Sequence, residues 1–158
     1  MTDYQVTQRQ LGSFKRFIKL LPHGQDFTLV ILKGHLLIEE QVRLFIYERM
    51  THPEALKEAK LDCAQAISIA KALSPKEHEY IWNAVKKLNN CRNKLAHKAE
   101  PVGLDDQIDD FVSSVSWLPQ SGDRQKRMEM ALWALFEAVS SSVQRSTATV
   151  HELVAGKD

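Results

Sequence analysis

Apolar residues recur along most of this chain at intervals of three and four, the period of a helix. Strict alternation of the kind that marks a strand is almost absent. Leu11, Phe14, Phe17, Ile18 and Leu21 trace a first amphipathic helix over about residues 5–21, stopped at Pro22-His23-Gly24. Asp26 then caps a second helix that is predicted to run to about Met50. Its first half, Leu29-Val30-Ile31-Leu32 with Leu36-Leu37-Ile38, is apolar on nearly all sides. Burial from more than one direction is expected, as in a central helix or one at a subunit interface. Thr51-His52-Pro53-Glu54 reads as a capping box with an early proline, opening a third helix to about Leu73. Ser74-Pro75-Lys76-Glu77 repeats the device for a fourth helix, which runs towards His97 and ends before Pro101-Val102-Gly103. Asp105 opens a shorter helix to about Trp117, Pro119-Gln120-Ser121-Gly122 breaks it, and a last helix starts at about Asp123. Short connections without an internal repeat predict a single all-α domain over residues 1–158, an antiparallel bundle of five or six helices.

Composition adds bounds rather than a function. At 158 residues the chain is long enough to bury a core without metal or disulfide staples, and 44% hydrophobic with 26% charged residues is ordinary for a globular protein. The net charge of +1 excludes a global field that would draw in nucleic acid or membrane, so any polyanion site must be local. Cys63 and Cys91 lack the number and spacing of a disulfide framework or a zinc site, and both are expected in the core, in a reducing compartment. His23, His52, His78 and His151 also lack metal-ligand spacing. No metal and no cofactor are therefore expected. The polar start of the chain and the lack of a long apolar run predict no membrane association and a cytoplasmic location. Trp82, Trp117 and Trp133 stand at helical periodicity and are expected in the core.

Local charge changes the picture. No acidic residue lies between Tyr80 and Ala99, whereas Lys86, Lys87, Arg92, Lys94, His97 and Lys98 do. This basic segment suits a phosphate backbone, although lysines at a helix C-terminus also complement its dipole. Arg92 projects into the apolar stripe of Ile81, Val85, Leu88 and Leu95, while His97 falls about 140° around the helix and shares a face with Asn93. An arginine in such a stripe needs a partner. Two readings stay open: a structural arginine bonded to a carboxylate or to helix-end carbonyls, or a polar notch at a subunit seam. His35, Glu39 and Arg43, at i, i+4 and i+8, read either as a solvated ion-pair ladder or as the source of a carboxylate, Glu39, that orients Arg92 or His97.

Cys91-Arg92-Asn93-Lys94-Leu95-Ala96-His97, together with the upstream helix ending Gly34-His35-Leu36-Leu37-Ile38-Glu39-Glu40, resembles the HEPN family over roughly residues 27–100. The family motif is an arginine, usually followed by a polar residue, then four to six positions and a histidine. The resemblance implies a homodimeric, metal-independent endoribonuclease, a toxin or antiphage effector, with RNA as substrate and an antitoxin or regulatory protein as partner. It implies that Arg92 holds the scissile phosphate and that His97 acts as general base or acid. Asn93 would position one of them, with Lys87, Lys94 and Lys98 along the substrate and Glu39 in support. Ala99 departs from the toxin subgroup that pairs with a nucleotidyltransferase antitoxin, where tyrosine stands two residues after the histidine. The motif is also similar to that of mannitol operon repressor-like proteins, which implies instead a non-catalytic regulatory or protein-interaction dimer.

Overall fold

The structure, a computed structural model, describes residues 8–24 and 26–155, with side chains of the last helix described as far as Val143. Seven α-helices and no strand are found among the described residues: α1 (Gln8–Leu20), α2 (Phe27–Tyr47), α3 (Glu54–Ala59), α4 (Cys63–Leu73), α5 (Glu79–His97), α6 (Leu104–Ser114) and α7 (Arg124–Ala155). The chain is all-α, as its periodicity predicts. No helix among the described residues is long and apolar enough to cross a membrane.

Helix α2 is the hub, packing against α7, α4, α5 and α1. Asp26 caps it by accepting from the Leu29 amide at 3.0 Å. Val30, Ile31, Leu37, Ile38, Val42, Phe45 and Ile46 are buried, which meets the expectation of burial from several directions. Leu29, Leu32 and Leu36 are the exception; they form an exposed strip, with Leu36 51% exposed. Gly34 sets how closely α2 and α7 approach, because a Cβ there would lie 2.7 Å from Leu132 Cδ1. Of the predicted first stripe only Phe17 on α1 and Leu21 just past it are buried, while Leu11 and Ile18 stay exposed. Phe17 stacks on Phe136 of α7, and Phe14 meets Trp133 edge-on.

The helix predicted from Thr51 to Leu73 is two helices. Lys60 adopts a left-handed backbone (φ 47°), and Asp62 then starts α4 with a complete capping box: its side chain accepts from Gln65 N at 2.8 Å, and Gln65 Oε1 accepts from Asp62 N at 3.0 Å. That reciprocal pair outweighs the looser Thr51 signal; Pro53 at the start of α3 has no side-chain cap. The Ser74-Pro75 start is also displaced. Ser74 closes α4, a 3₁₀ turn spans Lys76–His78, and α5 begins at Glu79. Trp82 is fully buried against Phe45, Trp117 is partly buried against Tyr80 and packs on the core, and Trp133 is exposed, so the expectation of core tryptophans holds for Trp82, in part for Trp117 and not for Trp133. Cys91 is buried in the core, whereas Cys63, the first residue of α4, is only partly covered.

Candidate functional site

Polar side chains from three helices meet where α2, α4 and α5 pack. From α2 comes His35, only 4% exposed. Its Nε2 lies 3.1 Å from Asn89 Oδ1 on α5 and 3.5 Å from Cys63 Sγ on α4, and its Nδ1 lies 3.7 Å from Glu39 Oε2, one turn along α2. Arg43, a further turn on, donates from Nε and Nη2 to Glu39 Oε1 at 3.1 and 2.6 Å and from Nη2 to the Leu61 carbonyl at 3.1 Å. The predicted ladder is thus half right: Glu39 and Arg43 form an i,i+4 pair, but His35 is buried. Glu39 is committed to Arg43 and faces His35 rather than serving Arg92 or His97.

Burial pushes the His35 imidazole below its ordinary pKa; Glu39 and the Asn89 hydrogen bond oppose this, and the Arg92 charge adds to it. The ring is therefore held neutral. Cys63 is raised to about 12, first by burial and then by the Glu39 charge, with Arg43 and Arg92 pulling the other way. Such a thiol is protonated at neutral pH and is a poor nucleophile.

Arg92 is half-buried on α5, one turn beyond Asn89. Its Nη1 donates to Asn93 Oδ1 at 3.0 Å, and no ion pair joins it to a carboxylate among the described residues. None of its nitrogens is both buried and without a partner, so its other donors are reached by solvent. His97 is exposed and is the last residue of α5, which stays helical through it. The helix end is not unwound, so one chain keeps Arg92 and His97 about 7.5 Å apart along the axis and on different sides.

The lysines predicted to line a substrate are placed unequally. Lys98 is exposed just past the helix. Lys94 is half-buried with its ammonium against Gly103, at the start of α6. Lys87 is paired with Asp110 of α6 at 2.7 Å, so the acidic residues of α6 offset part of the basic segment. Lys86 and Asn90 are exposed on the outer side of α5. The side chain of His151 lies outside the described residues.

Cys63 and Asn89 are the site residues that sequence reasoning missed. Asp62-x-x-Gln65 was the available signal for Cys63, since it places that cysteine at a helix start; nothing local ties it to His35, which is 28 positions away. No family model, curated protein or solved structure matches the chain.

Proposed function

We propose that this protein is a metal-independent endoribonuclease of the HEPN type, a single antiparallel helical bundle acting as a homodimer. The observation that carries this reading is Arg92: a permanent cation, half-buried, with one hydrogen bond to its neighbour and no carboxylate partner among the described residues. Such a group is placed to bind a phosphate without first breaking an ion pair. The pairings Phe45 with Trp82 and His35 with Asn89 support α2 and α5 lying antiparallel.

In this reaction the ribose 2′-oxygen bonds to phosphorus as the bond from phosphorus to the 5′-oxygen breaks, leaving a 2′,3′-cyclic phosphate and a 5′-hydroxyl. His97 takes the 2′-hydroxyl proton while water protonates the leaving 5′-oxygen, or supplies the proton to that oxygen while water takes the one from the 2′-hydroxyl. Arg92 stabilises the charge that builds on the phosphoryl oxygens. Asn93, bonded to Arg92 and one turn before His97, positions the pair. Because Arg92 and His97 point to different sides of one helix, the site needs a second copy to complete it. The exposed Leu29, Leu32 and Leu36 strip, about 60–120° around α2 from His35, is an apolar face suited to that copy.

The same separation favours a second reading, a non-catalytic regulatory dimer of the mannitol operon repressor-like kind in which the two residues serve structure only. RNA cleavage in chelator by wild type, Arg92→Ala and His97→Ala, with growth on overexpression, separates them. The nuclease reading predicts cleavage by wild type that both variants lose. Intact RNA and unaffected growth with wild type would refute it, and weakened self-association of His97→Ala alongside that result would favour the regulatory dimer.

A further inference from the structure

We infer that His35, Glu39 and Cys63 form a binding site for one zinc-class transition-metal ion at the junction of α2 and α4. One ligand atom from each residue lies within 4.8 Å of the others. His35 Nε2 and Cys63 Sγ are 3.5 Å apart, against about 3.6 Å between nitrogen and sulfur on a tetrahedral zinc ion with ordinary bond lengths. Two of the ligands are fixed by α2 itself, since His35 and Glu39 stand one turn apart. Cys63 is fixed by the Asp62–Gln65 capping box that starts α4.

The carboxylate is arranged as a single-oxygen ligand. Arg43 holds Oε1, whereas Oε2 lies 3.7 Å from His35 Nδ1, the ring nitrogen other than the one beside Cys63; an ion takes one of these nitrogens, and a Glu39 oxygen lies within 4.8 Å of the ligand atoms of both other residues. A metal bound at Oε2 leaves the Arg43 pair intact as an outer contact that orients the ligand. Asn89 Oδ1, 3.1 Å from His35 Nε2, offers a further oxygen at the same spot. Mixed nitrogen, sulfur and oxygen ligands suit zinc or cobalt rather than magnesium or calcium.

Charge balances at the ligands. A divalent ion meets one carboxylate and one thiolate, and the thiol proton leaves to water as the metal–sulfur bond forms. Arg43 and Arg92, the nearby cations, oppose entry of the ion, and the thiolate formed on binding offsets them in part. Three protein ligands leave a position for water or an anion. The inference is independent of RNA cleavage.

Cobalt titration of the metal-stripped full-length chain, without a histidine tag and under reducing conditions, tests it. One equivalent should bind with a thiolate-to-cobalt charge-transfer band and tetrahedral visible bands, and zinc should displace it. Cys63→Ser should abolish the charge-transfer band, and Glu39→Gln should weaken binding by about tenfold or more. Cys91→Ser should leave both unchanged. Circular dichroism checks that each variant is folded, and Cys63→Ala replaces Cys63→Ser should the latter unfold. No charge-transfer band in wild type, a band that survives removal of the Cys63 thiol, or one lost with Cys91→Ser would each overturn the site.

Discussion

Arg49 and Arg92 are both half-buried arginines, and they live in opposite surroundings. At the seam of α2 and α7, Arg49 donates to the Phe45 carbonyl at 3.1 Å and the Ser142 carbonyl at 2.7 Å, with its guanidinium 3.5 Å from the Phe45 ring centroid. Burial lowers its pKa, and every contact it makes ties one helix to another or to itself. At the junction of α2, α4 and α5, Arg92 bonds only to Asn93 among the described side chains and keeps donors in reach of solvent. The difference teaches how to recognise an arginine held for use. A structural arginine spends its donors on backbone carbonyls; an available one is enclosed by neighbours but not consumed by them.

The sharpest way to break this contrast is Arg92→Ala. RNA cleavage should fall about 10²–10³-fold, as for loss of one preorganised charge-stabilising donor, while urea unfolding shifts by about 1 kcal/mol or less. Equal losses of activity and stability would erase the distinction. Arg49→Ala should do the reverse. Losing two charged hydrogen bonds should cost about 2–3 kcal/mol of unfolding free energy and leave cleavage per folded molecule unchanged. Gly34→Val examines the same seam without touching charge. A Cβ within 2.7 Å of the fully buried Leu132 forces α2 and α7 apart, for a cost of about 1–3 kcal/mol in urea denaturation. Wild-type stability would show that the seam can repack. The smallest effect belongs to the outer side of α5. Asp110→Asn frees Lys87, and RNA binding should strengthen about two- to threefold at low salt, a gain that disappears at high salt. A gain that persists in high salt would mean that the Lys87–Asp110 pair shapes the site rather than screening it.

The fold was legible in the sequence as far as local rules reach. The helical period of Ile81, Trp82, Val85 and Leu88 marks the core correctly, and the Asp26 cap starts α2 where expected. Boundaries failed where two local signals competed. Thr51-His52-Pro53-Glu54 and Asp62-Cys63-Ala64-Gln65 both resemble helix starts, and only the second completes its reciprocal bonds. Stripe residues failed where a helix face is left partly uncovered among the described residues, as at Leu11, Ile18, Leu29 and Leu36. Periodicity reports that a face is apolar; it does not report what covers it.

For the candidate site, the residues from Arg92 to His97 were visible from type and spacing alone, and so was their angular separation, because a helix converts sequence distance into direction. What surrounds Arg92 was not. Whether it finds a carboxylate depends on Glu39, which Arg43 captures four positions away, and the charge of the basic segment depends on Asp110, which α6 delivers to Lys87. The meeting of His35, Glu39, Cys63 and Asn89 has the same origin. Each residue obeys its own helix, but their contact is set by how α4 and α5 pack on α2. The sequence by itself determined an all-helical chain and which residues can carry chemistry, since both follow from near neighbours. Only the tertiary structure decided which of those residues are spent on each other and which are left to act, because electrostatic pairing and burial are fixed by contacts between residues far apart in the chain.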